Sequence, residues 1–583
     1  MSVIEATRPD VAAETQAAIP RVTCDLLIAG SGASGMTAAI VAASHGLDVV
    51  VAEKEAVFGG TTAISGGYLW VPNNPASIEA GVKDTVDAAK TYMRHEAGNQ
   101  FDEARVDAFL AAGPRMIQFM HDKTQVHFTA TPAFCDYHPS APGGTEGGRS
   151  ILTDPVNASI MGEDLPKLRR QRQELTLYGL AIGSGKELWH FYRATERLES
   201  ALYVAKRLAG HALDVARHGR GMTLTNGNAL AARLWRSAKD RNVTIWLDSP
   251  VRRINKDADG KVIGAIVQTP QGVREIVARR GVILACGGFP QDVTRRAQIY
   301  GHNAGESEHW SAASPGNTGD GMKLGEQAGA RAIEGYPNAA AWAPTSLVVR
   351  KDGTKAPFPH FIDRGKPGVI AVTRSGRRFV NEANCYHDFV QAMVKACPQG
   401  QAAEAFLLVD HKTLRKYGLG FVKPSPIPYK SQIKSGYLIK GDTIAELAKS
   451  AGIDAATLDA TIAAWNADVP GGVDRAFGKG STAYNRFHGD PEVKPNPCMR
   501  PVADGPFYVV RVVPGDIGTF AGLRTDEHAR ALDDTGAPIP GLYAVGNDMA
   551  SILGGNYSGG GITLGPGMTF GYIAGKHAAG VGE

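Results

Sequence analysis

The sequence predicts an α/β fold in which a discontinuous, Rossmann-like domain carries an inserted, smaller α+β domain. Three observations lead to this prediction. Residues 22–54 read as strand, glycine loop, helix and strand. A similar apolar strand, GLYAVGND at 541–548, returns only near the end of the chain. Between 336 and 504 the glycine loops thin out and helical apolar spacing takes over. A chain of 583 residues is also too long for a single core.

Composition narrows the functional classes. The net charge of +4 gives no reason to expect a nucleic-acid partner. The six cysteines are scattered without a CxxC pair, which favours reduced thiols and a cytoplasmic location. The 16 histidines form no metal-binding motif, so no metal is expected. Residues 1–21 read as a loose arm and not as a signal peptide, and no stretch of 18 apolar residues predicts a membrane span.

The first element is the glycine loop. An apolar strand runs into Gly30-Ser31-Gly32-Ala33-Ser34-Gly35, an Ala-rich helix follows, and a second strand ends at Glu53-Lys54. In this pattern the three glycines allow the turn, the approach of a pyrophosphate and the packing of helix on strand. The helix N-terminus attracts the phosphates, and Glu53 is expected to bind a ribose hydroxyl.

A second glycine loop indicates whether the dinucleotide is FAD or a nicotinamide cofactor. FGGTTAISGG at 58–67 combines glycines with hydroxyl side chains, which a nicotinamide cofactor does not require at this place. The loop resembles the second FAD contact of the fumarate reductase-like flavoproteins, and this resemblance implies non-covalent FAD. The residues of this loop expected to bind it are Gly60, Thr61, Thr62, Ser65, Gly66 and Gly67.

Later segments look like the remaining FAD contacts of that superfamily. The expected contacts are Val251, whose backbone would meet the adenine, Ala285, Gly287, Asp320, Gly546, Asn547 near the ribityl chain, Thr563 and Leu564. The resulting domains are an arm at 1–21, an FAD-binding domain at 22–335, a cap or catalytic domain at 336–504, and the C-terminal part of the FAD-binding domain at 505–583.

The C-terminal loop GGNYSGGGITLGPG, at 554–567, excludes a dicarboxylate substrate. Residues 531–575 contain no Lys or Arg, and the cap stretch AWAPTSLVV at 341–349 contains no His. Two buried carboxylates would therefore lack cationic partners, which is costly. The only large polar side chain of the loop is Tyr557, and a phenol suits a neutral carbonyl group.

At this point the chain resembles the 3-ketosteroid Δ1-dehydrogenases along nearly its whole length. The stretches that carry the resemblance are GASGMTAAIVAASHGLDVVVAEK, FGGTTAISGGYLWVPNN, DYHPSAPGGTEGGRSI, GVILACGGF, NTGDGM, GRRFVNEANCY, GDPEVKPNP, VPGDIGTFAGLRTD and GNYSGGGITLGPGMTFGY.

The resemblance implies a role for four residues. Tyr557 and the backbone N–H of Gly561 correspond to the pair that binds the ketone oxygen, Tyr386 to the tyrosine that takes the α-proton, and Tyr137 to a tyrosine that supports it. Two positions depart from the family pattern. His138 stands where a second tyrosine is usual, and Gly560 replaces a proline. His138 could share the supporting role, whereas His138, His360 and His387 are otherwise expected near the surface.

The function predicted in this way is FAD-dependent desaturation of a cyclic ketone, with a 3-ketosteroid as the leading substrate. A smaller cyclohexanone, the steroid Δ4 position, an enone or enoate reductase, and a flavin-binding protein without turnover are the alternatives. Electrons would pass to a quinone or another acceptor. The basic run LPKLRRQRQ at 165–173 is expected either on a solvated helix face or in peripheral contact with a membrane.

Overall fold

The computed structural model describes residues 19–398 and 400–582, so residues 1–18 of the predicted arm lie outside the described part of the chain. The strands of this part are β1 (Arg21–Ala29), β2 (Val49–Ala52), β3 (Tyr68–Trp70), β4 (Phe128–Ala130), β5 (Ser150–Thr153), β6 (Val156–Asn157), β7 (Thr223–Leu224), β8 (Thr244–Trp246), β9 (Val251–Lys256), β10 (Val262–Thr269), β11 (Gly272–Leu284), β12 (Ala332–Ile333), β13 (Ala340–Trp342), β14 (Thr345–Val349), β15 (Lys355–Pro359), β16 (Ile370–Val372), β17 (Ala405–Asp410), β18 (Ile439–Gly441), β19 (Phe507–Val512), β20 (Asp516–Thr519), β21 (Gly522–Leu523), β22 (Arg530–Leu532) and β23 (Pro538–Ala544).

The helices alternate with these strands in the first third of the chain and cluster in the inserted domain. They are α1 (Ala33–Ser44), α2 (Pro75–Glu79), α3 (Val86–Ala97), α4 (Glu103–Lys123), α5 (Lys186–Tyr192), α6 (Leu198–His218), α7 (Asn226–Lys239), α8 (Val293–Ile299), α9 (Asp320–Gln327), α10 (Tyr386–Ala396), α11 (His411–Tyr417), α12 (Lys430–Lys434), α13 (Ile444–Ala451), α14 (Ala455–Asp468), α15 (Ala483–His488) and α16 (Leu564–Ala578).

The central sheet confirms the predicted α/β class. Its parallel strands lie in the order β8-β2-β1-β11-β23, and β22 pairs antiparallel with β23 at one edge. Strand β23 comes from the far C-terminus and pairs Leu542 with Val282, so the domain is discontinuous. Helices α7 and α16 pack against α1, and the parallel strands are buried on both faces, as their apolar sequences require.

The inserted cap domain is built on a four-stranded antiparallel sheet in the order β16-β17-β19-β18. Helices α13 and α14 cover one face, and Leu408, Leu458 and Trp465 belong to the separate core between them. Strand β19 lies beyond the expected boundary at 504 and pairs along its whole length with β17. Because its ladder belongs to the cap sheet, we place the end of the cap domain near 513.

The region 155–220 differs from its expectation. The basic run at 165–173 forms no α-helix, and its arginines bond inward: Arg169 pairs with Glu55, and Arg172 donates to the carbonyl of Ala312. It is therefore not a solvated helix face. The apolar surface of this region lies instead on α6, where Leu198 and Leu202 are 76% and 64% exposed.

Candidate active site

One large cavity lies between the central sheet and the cap domain. Its volume of about 2380 Å³ exceeds the roughly 300–1,000 Å³ of ordinary ligand sites, so it can hold a dinucleotide together with a second molecule. Of the 21 residues expected to bind the cofactor, 20 line it. Those residues are Gly30, Gly32, Ala33, Ser34, Glu53, Lys54, Gly60, Thr61, Thr62, Ser65, Gly66, Gly67, Val251, Ala285, Gly287, Asp320, Gly546, Asn547, Thr563 and Leu564.

Gly35 is the exception, and it has a packing role. A Cβ on Gly35 would lie 2.4 Å from the Gly30 carbonyl oxygen and 3.0 Å from the Ala285 Cβ, so glycine lets α1 pack closely on the sheet. Gly30 has φ of +110°, and a Cβ there would lie 2.3 Å from the Ala285 carbonyl oxygen. Both positions therefore require glycine for reasons independent of any ligand.

Glu53 fastens the glycine loop at the end of β2. Its carboxylate accepts hydrogen bonds from the Ser31 amide at 3.0 Å and the Ser31 hydroxyl at 2.6 Å, and also from the Glu55 amide. Burial raises the pKa of Glu53, although these donors act against the shift. Lys54 and Asp320, both predicted from the sequence, form an ion pair beside it. Sequence reasoning missed Ser31, because serine is common in such loops.

The second glycine loop is tied to the first. Thr62 Oγ1 accepts from the Ala33 amide at 3.0 Å, and Thr61 Oγ1 accepts from the Ser314 amide at 2.9 Å. Asp548, also missed, holds the loop after β11, since its carboxylate accepts from the amides of Cys286 and Gly288. Burial raises the pKa of Asp548 to about 6. No spacing pattern in the sequence singles this residue out.

The cavity has backbone features that suit the pyrophosphate of FAD. The N-termini of helices α1 and α16 both line the cavity, and their N-cap residues, Gly32 and Thr563, make no side-chain capping hydrogen bond. In α1 the Ala33 amide is taken by Thr62, so the anion site consists of the other N–H groups of the first turn. Free backbone N–H groups at a helix N-terminus attract anions such as a pyrophosphate. A Cβ on Gly60 would meet no protein atom within 4 Å, so the backbone there is open to a ligand.

Three tyrosines from distant parts of the chain meet at the wall between the domains. Tyr137 and Tyr386 hydrogen-bond through their hydroxyls at 3.0 Å. The Tyr386 ring lies 5.1 Å from the ring of Tyr557, which stacks on Tyr137 at 5.3 Å. All three are at least 94% buried and line the cavity. The structure thus brings together the three tyrosines that the resemblance singled out.

Gly561 lies beside this group. Its φ is +101°, and a Cβ would lie 2.5 Å from the Tyr68 carbonyl group, so only glycine fits. Its carbonyl accepts from the Trp70 amide, whereas its N–H has no hydrogen-bond partner among the described residues. The segment is anchored by the Ser558 carbonyl, which accepts from the Tyr137 amide at 2.9 Å and from the Tyr92 hydroxyl. An unpaired donor therefore lines the cavity near Tyr557.

Burial dominates the electrostatics of the tyrosines. It raises the pKa of Tyr386 and of Tyr137 well above the ordinary value of 10, and the neighbouring phenols add to the shift. Burial likewise raises the pKa of Tyr557, against a hydrogen bond from Tyr386. The phenols are therefore neutral at pH 7.

The histidines differ from the sequence expectation. His360 and His387 are buried: His360 hydrogen-bonds with Asp363 at 2.6 Å, and His387 Nδ1 accepts from the Trp342 amide. His387 contacts Phe520 and Tyr557 of the C-terminal segment, whereas His360 hydrogen-bonds with Ser346 inside the cap. These contacts join separate segments, which local sequence does not reveal. His138 is half-buried, and its ring bonds neither Tyr137 nor Tyr386.

His138 instead joins two carboxylates. Its Nδ1 lies 2.9 Å from Glu96 on α3, and its Nε2 lies 2.9 Å from Asp388, two residues after Tyr386 on α10. Burial disfavours the charged ring, but the hydrogen bonds to Asp388 and Glu96 outweigh it and raise the pKa of His138 to about 10. The imidazolium thus links α3 to the first turn of the helix that carries Tyr386.

Aromatic side chains that the sequence analysis did not single out complete the chamber beside the tyrosines. Tyr484 contacts Tyr137 at 4.8 Å between ring centroids, and Phe361 contacts Tyr386 at 4.9 Å. Phe134 lies over Gly560, where a Cβ would approach its ring to 2.4 Å. Aromatic rings thus line the chamber around the three tyrosines.

The fold and this site define an FAD-dependent oxidoreductase. Residues 25–564 match the family described as FAD binding domain, and the chain belongs to that family. It is 40% identical over 558 residues, covering 96% of this chain and 94% of the other, to 4-oxocyclohex-2-ene-1-carboxylate 5-dehydrogenase of Sinomonas cyclohexanicum. It is 36% identical to 3-oxosteroid 1-dehydrogenase of Mycobacterium tuberculosis, covering 95% and 98% of the two chains.

Comparison with solved structures also finds a dehydrogenase of this kind. The crystal structure of 3-ketosteroid Δ1-dehydrogenase from Sterolibacterium denitrificans, in complex with 1,4-androstadiene-3,17-dione, superposes with a TM-score of 0.89 at 35% identity. The match covers 96% of this chain and 99% of that chain. The similarity to this structure therefore spans both domains, including the cap.

Proposed function

We propose that the protein desaturates a cyclic ketone, removing hydrogens from the α- and β-carbons to give the α,β-unsaturated ketone. The observation that carries this proposal is the hydrogen-bonded pair Tyr137–Tyr386 facing Tyr557 and the unpaired N–H of Gly561. FAD, when bound, supplies the acceptor for the hydride from the β-carbon. The relatives named above act on a 3-oxosteroid and on an oxocyclohexene carboxylate, and both are cyclic ketones.

Each residue of the tyrosine group has a separate role in the proposed reaction. The Tyr557 hydroxyl and the Gly561 N–H bind the ketone oxygen and stabilise the negative charge that develops there. This acidifies the α-carbon, from which Tyr386 takes the proton. Because burial keeps Tyr386 protonated at rest, its hydroxyl proton must first be released to solvent before the oxygen can act as the base. The Tyr137 hydroxyl, which donates to Tyr386 at 3.0 Å, stabilises the phenolate that results. The surrounding aromatic rings exclude water from the enolate.

The proposal predicts direct reduction of the bound flavin by substrate. Oxidised holoenzyme is mixed without oxygen with a panel containing a 3-ketosteroid, 4-oxocyclohexanecarboxylate and neutral cyclohexanones, and loss of the flavin absorbance is followed. We expect bleaching and an enone product with at least one of these ketones. If no ketone bleaches the flavin, while a reduced donor and an enone turn over, the enzyme is a reductase and the proposal is wrong.

Two substrate sizes compete within this proposal. A 3-ketosteroid is the leading candidate, supported by the apolar chamber and by the Sterolibacterium structure with its bound steroid. A one-ring keto acid is the second, because a lysine without a carboxylate partner lies on the cavity wall. Product analysis after incubation with both ketones separates the two and also gives the regiochemistry.

We also propose peripheral contact with a membrane, where a quinone could accept electrons. No helix of the described chain is long and apolar enough to cross a membrane. Support comes from α6, an amphipathic helix with Leu198, Leu202 and Leu213 exposed by 76%, 64% and 55%. The cavity reaches Leu208 of this helix. Sedimentation with phospholipid vesicles should recover the protein, and the double substitution Leu198→Ser, Leu202→Ser should abolish this; no recovery of the parent protein would refute the contact.

A further inference from the structure

The cavity wall carries an ammonium group that has no carboxylate partner. Lys366 follows the turn Asp363–Gly365, and its Nζ donates to the Gly489 carbonyl at 3.1 Å. No carboxylate of the described residues lies within 4.0 Å of it, whereas Lys416 nearby pairs with both Glu196 and Asp490. Burying a charge without a counter-ion costs free energy, so a ligand of opposite charge would be stabilised at this position.

Lys366 joins two segments that each contact one of the tyrosines. Five residues before it, Phe361 contacts the Tyr386 ring. Its hydrogen-bond partner Gly489 directly follows α15, where Tyr484 contacts Tyr137 and His488 contacts Tyr484 at 4.7 Å. One turn of helix, about 5.4 Å, separates Tyr484 from His488. The ammonium therefore lies along the cavity wall, beyond the tyrosines.

The two carboxylates near Lys366 are bonded to other side chains and form no ion pair with it. The Asp363 carboxylate hydrogen-bonds with the His360 ring at 2.6 Å. The Asp490 carboxylate accepts hydrogen bonds from Arg193 at 2.9 Å and from the Tyr417 hydroxyl at 2.6 Å. His488 adds no positive charge, because burial, with Lys366 and Arg364 nearby, lowers its pKa to about 3. Its Nε2 is buried and has no partner in the described structure.

The guanidinium of Arg364 adds positive charge to the same region. It donates to the backbone carbonyls of His360, Phe361, Glu382 and Asn384, and it forms no ion pair among the described residues. Arg364 therefore places a second cation beside Lys366 that has no carboxylate partner among the described residues.

We propose that Lys366 binds a carboxylate carried by the cyclic ketone, at the end of the molecule away from the ketone group. This inference rests on the proposed desaturation and specifies its substrate class as a monoanionic keto acid, which it favours over a neutral 3-ketosteroid. It agrees with the exclusion of dicarboxylates, because the ketone end offers a phenol and an N–H, and only the other end offers a cation.

The test compares one acid with its neutral analogue. Anaerobic flavin reduction is measured for the wild-type holoenzyme, Lys366→Met and Lys366→Arg, with 4-oxocyclohexanecarboxylate and with its methyl ester. We expect Lys366→Met to lower kcat/KM for the acid by about 10- to 100-fold, the range of a charge-assisted hydrogen bond. The ester should change less than about twofold, and Lys366→Arg should retain most of the preference for the acid.

Lys423 provides the matched control. It is a second lysine of the cavity wall, donates to the Glu174 carbonyl at 3.0 Å and likewise has no carboxylate partner among the described residues, but its segment contacts none of the three tyrosines. Lys423→Met should leave the acid-to-ester ratio unchanged. Flavin content and thermal midpoint establish that each variant is folded; should Lys366→Met not fold, Lys366→Gln replaces it.

The outcomes separate the inference from the proposed function. If the wild-type enzyme reduces its flavin equally well with acid and ester, or if Lys366→Met affects both alike, the carboxylate site is wrong although desaturation stands. If Lys423→Met removes the preference, the site is wrongly assigned. If neither these ketones nor a 3-ketosteroid reduces the flavin, the proposed function itself fails.

The pH profile gives an independent readout. Burial lowers the pKa of Lys366 to about 8, so its charge is lost as the pH rises through that value. The acid-to-ester ratio of kcat/KM should therefore fall above about pH 8 in the wild type and stay constant in Lys366→Arg. Among the groups around Lys366, Asp363, Asp490 and Arg193 keep their charges, His488 remains neutral, and the Cys498 thiol titrates only at about 11.

Discussion

Tyr137 and Tyr386 hydrogen-bond through their hydroxyls at 3.0 Å although 249 positions separate them in the chain. Tyr137 belongs to the FAD-binding domain, and Tyr386 is the first residue of α10 in the cap. The pair therefore joins the two domains across the cavity. Since each domain supplies one hydroxyl, the proposed base depends on how the cap sits on the FAD-binding domain.

Removal of one hydroxyl tests the proposed base. Tyr386→Phe keeps the ring and its packing, so FAD and ketone should still bind. Flavin reduction should slow by about 10²–10⁴-fold, the usual contribution of general base catalysis. Rapid mixing under anaerobic conditions measures the rate. Tyr178→Phe, at a side chain that is 76% exposed, is the matched control. Reduction at the parent rate would make Tyr386 a packing residue.

Removing the hydroxyl of Tyr557, the proposed donor to the ketone oxygen, should have a different effect from removing that of Tyr386. Tyr557→Phe removes the donor that we propose binds the ketone oxygen both in the bound substrate and in the transition state. We expect weaker ketone binding together with slower flavin reduction, because both states lose the hydrogen bond. The dependence of the reduction rate on ketone concentration separates the two effects. A variant with unchanged ketone affinity would place the Tyr557 hydroxyl away from the carbonyl group.

Glu53 is predicted to hold the cofactor. In the structure its carboxylate anchors the Ser31 amide and hydroxyl, so Glu53→Ala should loosen the glycine loop as well as remove the ribose contact. A charge-assisted bond of about 1.5–3 kcal/mol corresponds to a loss of FAD affinity of about 10- to 100-fold. Flavin content after dilution measures it, with the exposed Glu79→Ala as control. Full retention of flavin by Glu53→Ala would exclude the ribose contact.

The charge on His138 should make the stability of this site pH-dependent. Its pKa is raised from 6.5 to about 10 in the folded protein. A raised pKa stabilises the fold fully below about pH 6.5, and this contribution is lost as the pH rises towards 10. His138→Gln should therefore lower the thermal midpoint most at pH 6, with the difference from wild type shrinking towards pH 10. His45→Gln, at the surface, is the control; a pH-independent difference would contradict a charged His138.

The FAD-binding half of the protein was predictable because its signals are local. The glycine loop at 30–35, the strand ending at Glu53 and the loop at 58–67 are contiguous segments whose backbone geometry depends on glycine. Their order along the chain gave the α/β class, and the return of a strand at 541–548 gave the discontinuous domain. The boundary at 504 was placed too early because only pairing with β17 assigns β19 to the cap.

By itself, the sequence determined the elements whose physics is local: the phosphate-binding turns, the helix N-termini and the absence of cations from the C-terminal loop. The composition of that loop singled out Tyr557, but Tyr137 and Tyr386 were named only through the resemblance, since a tyrosine in isolation is most often a packing residue. Tertiary structure decided what depends on distant segments meeting: the imidazolium of His138 between Glu96 and Asp388, and the unpaired ammonium of Lys366. The charge state of His138 and the lack of an ion-pair partner for Lys366 both depend on burial and on which charged groups lie nearby. Neither burial nor these neighbours can be read from a single stretch of the chain.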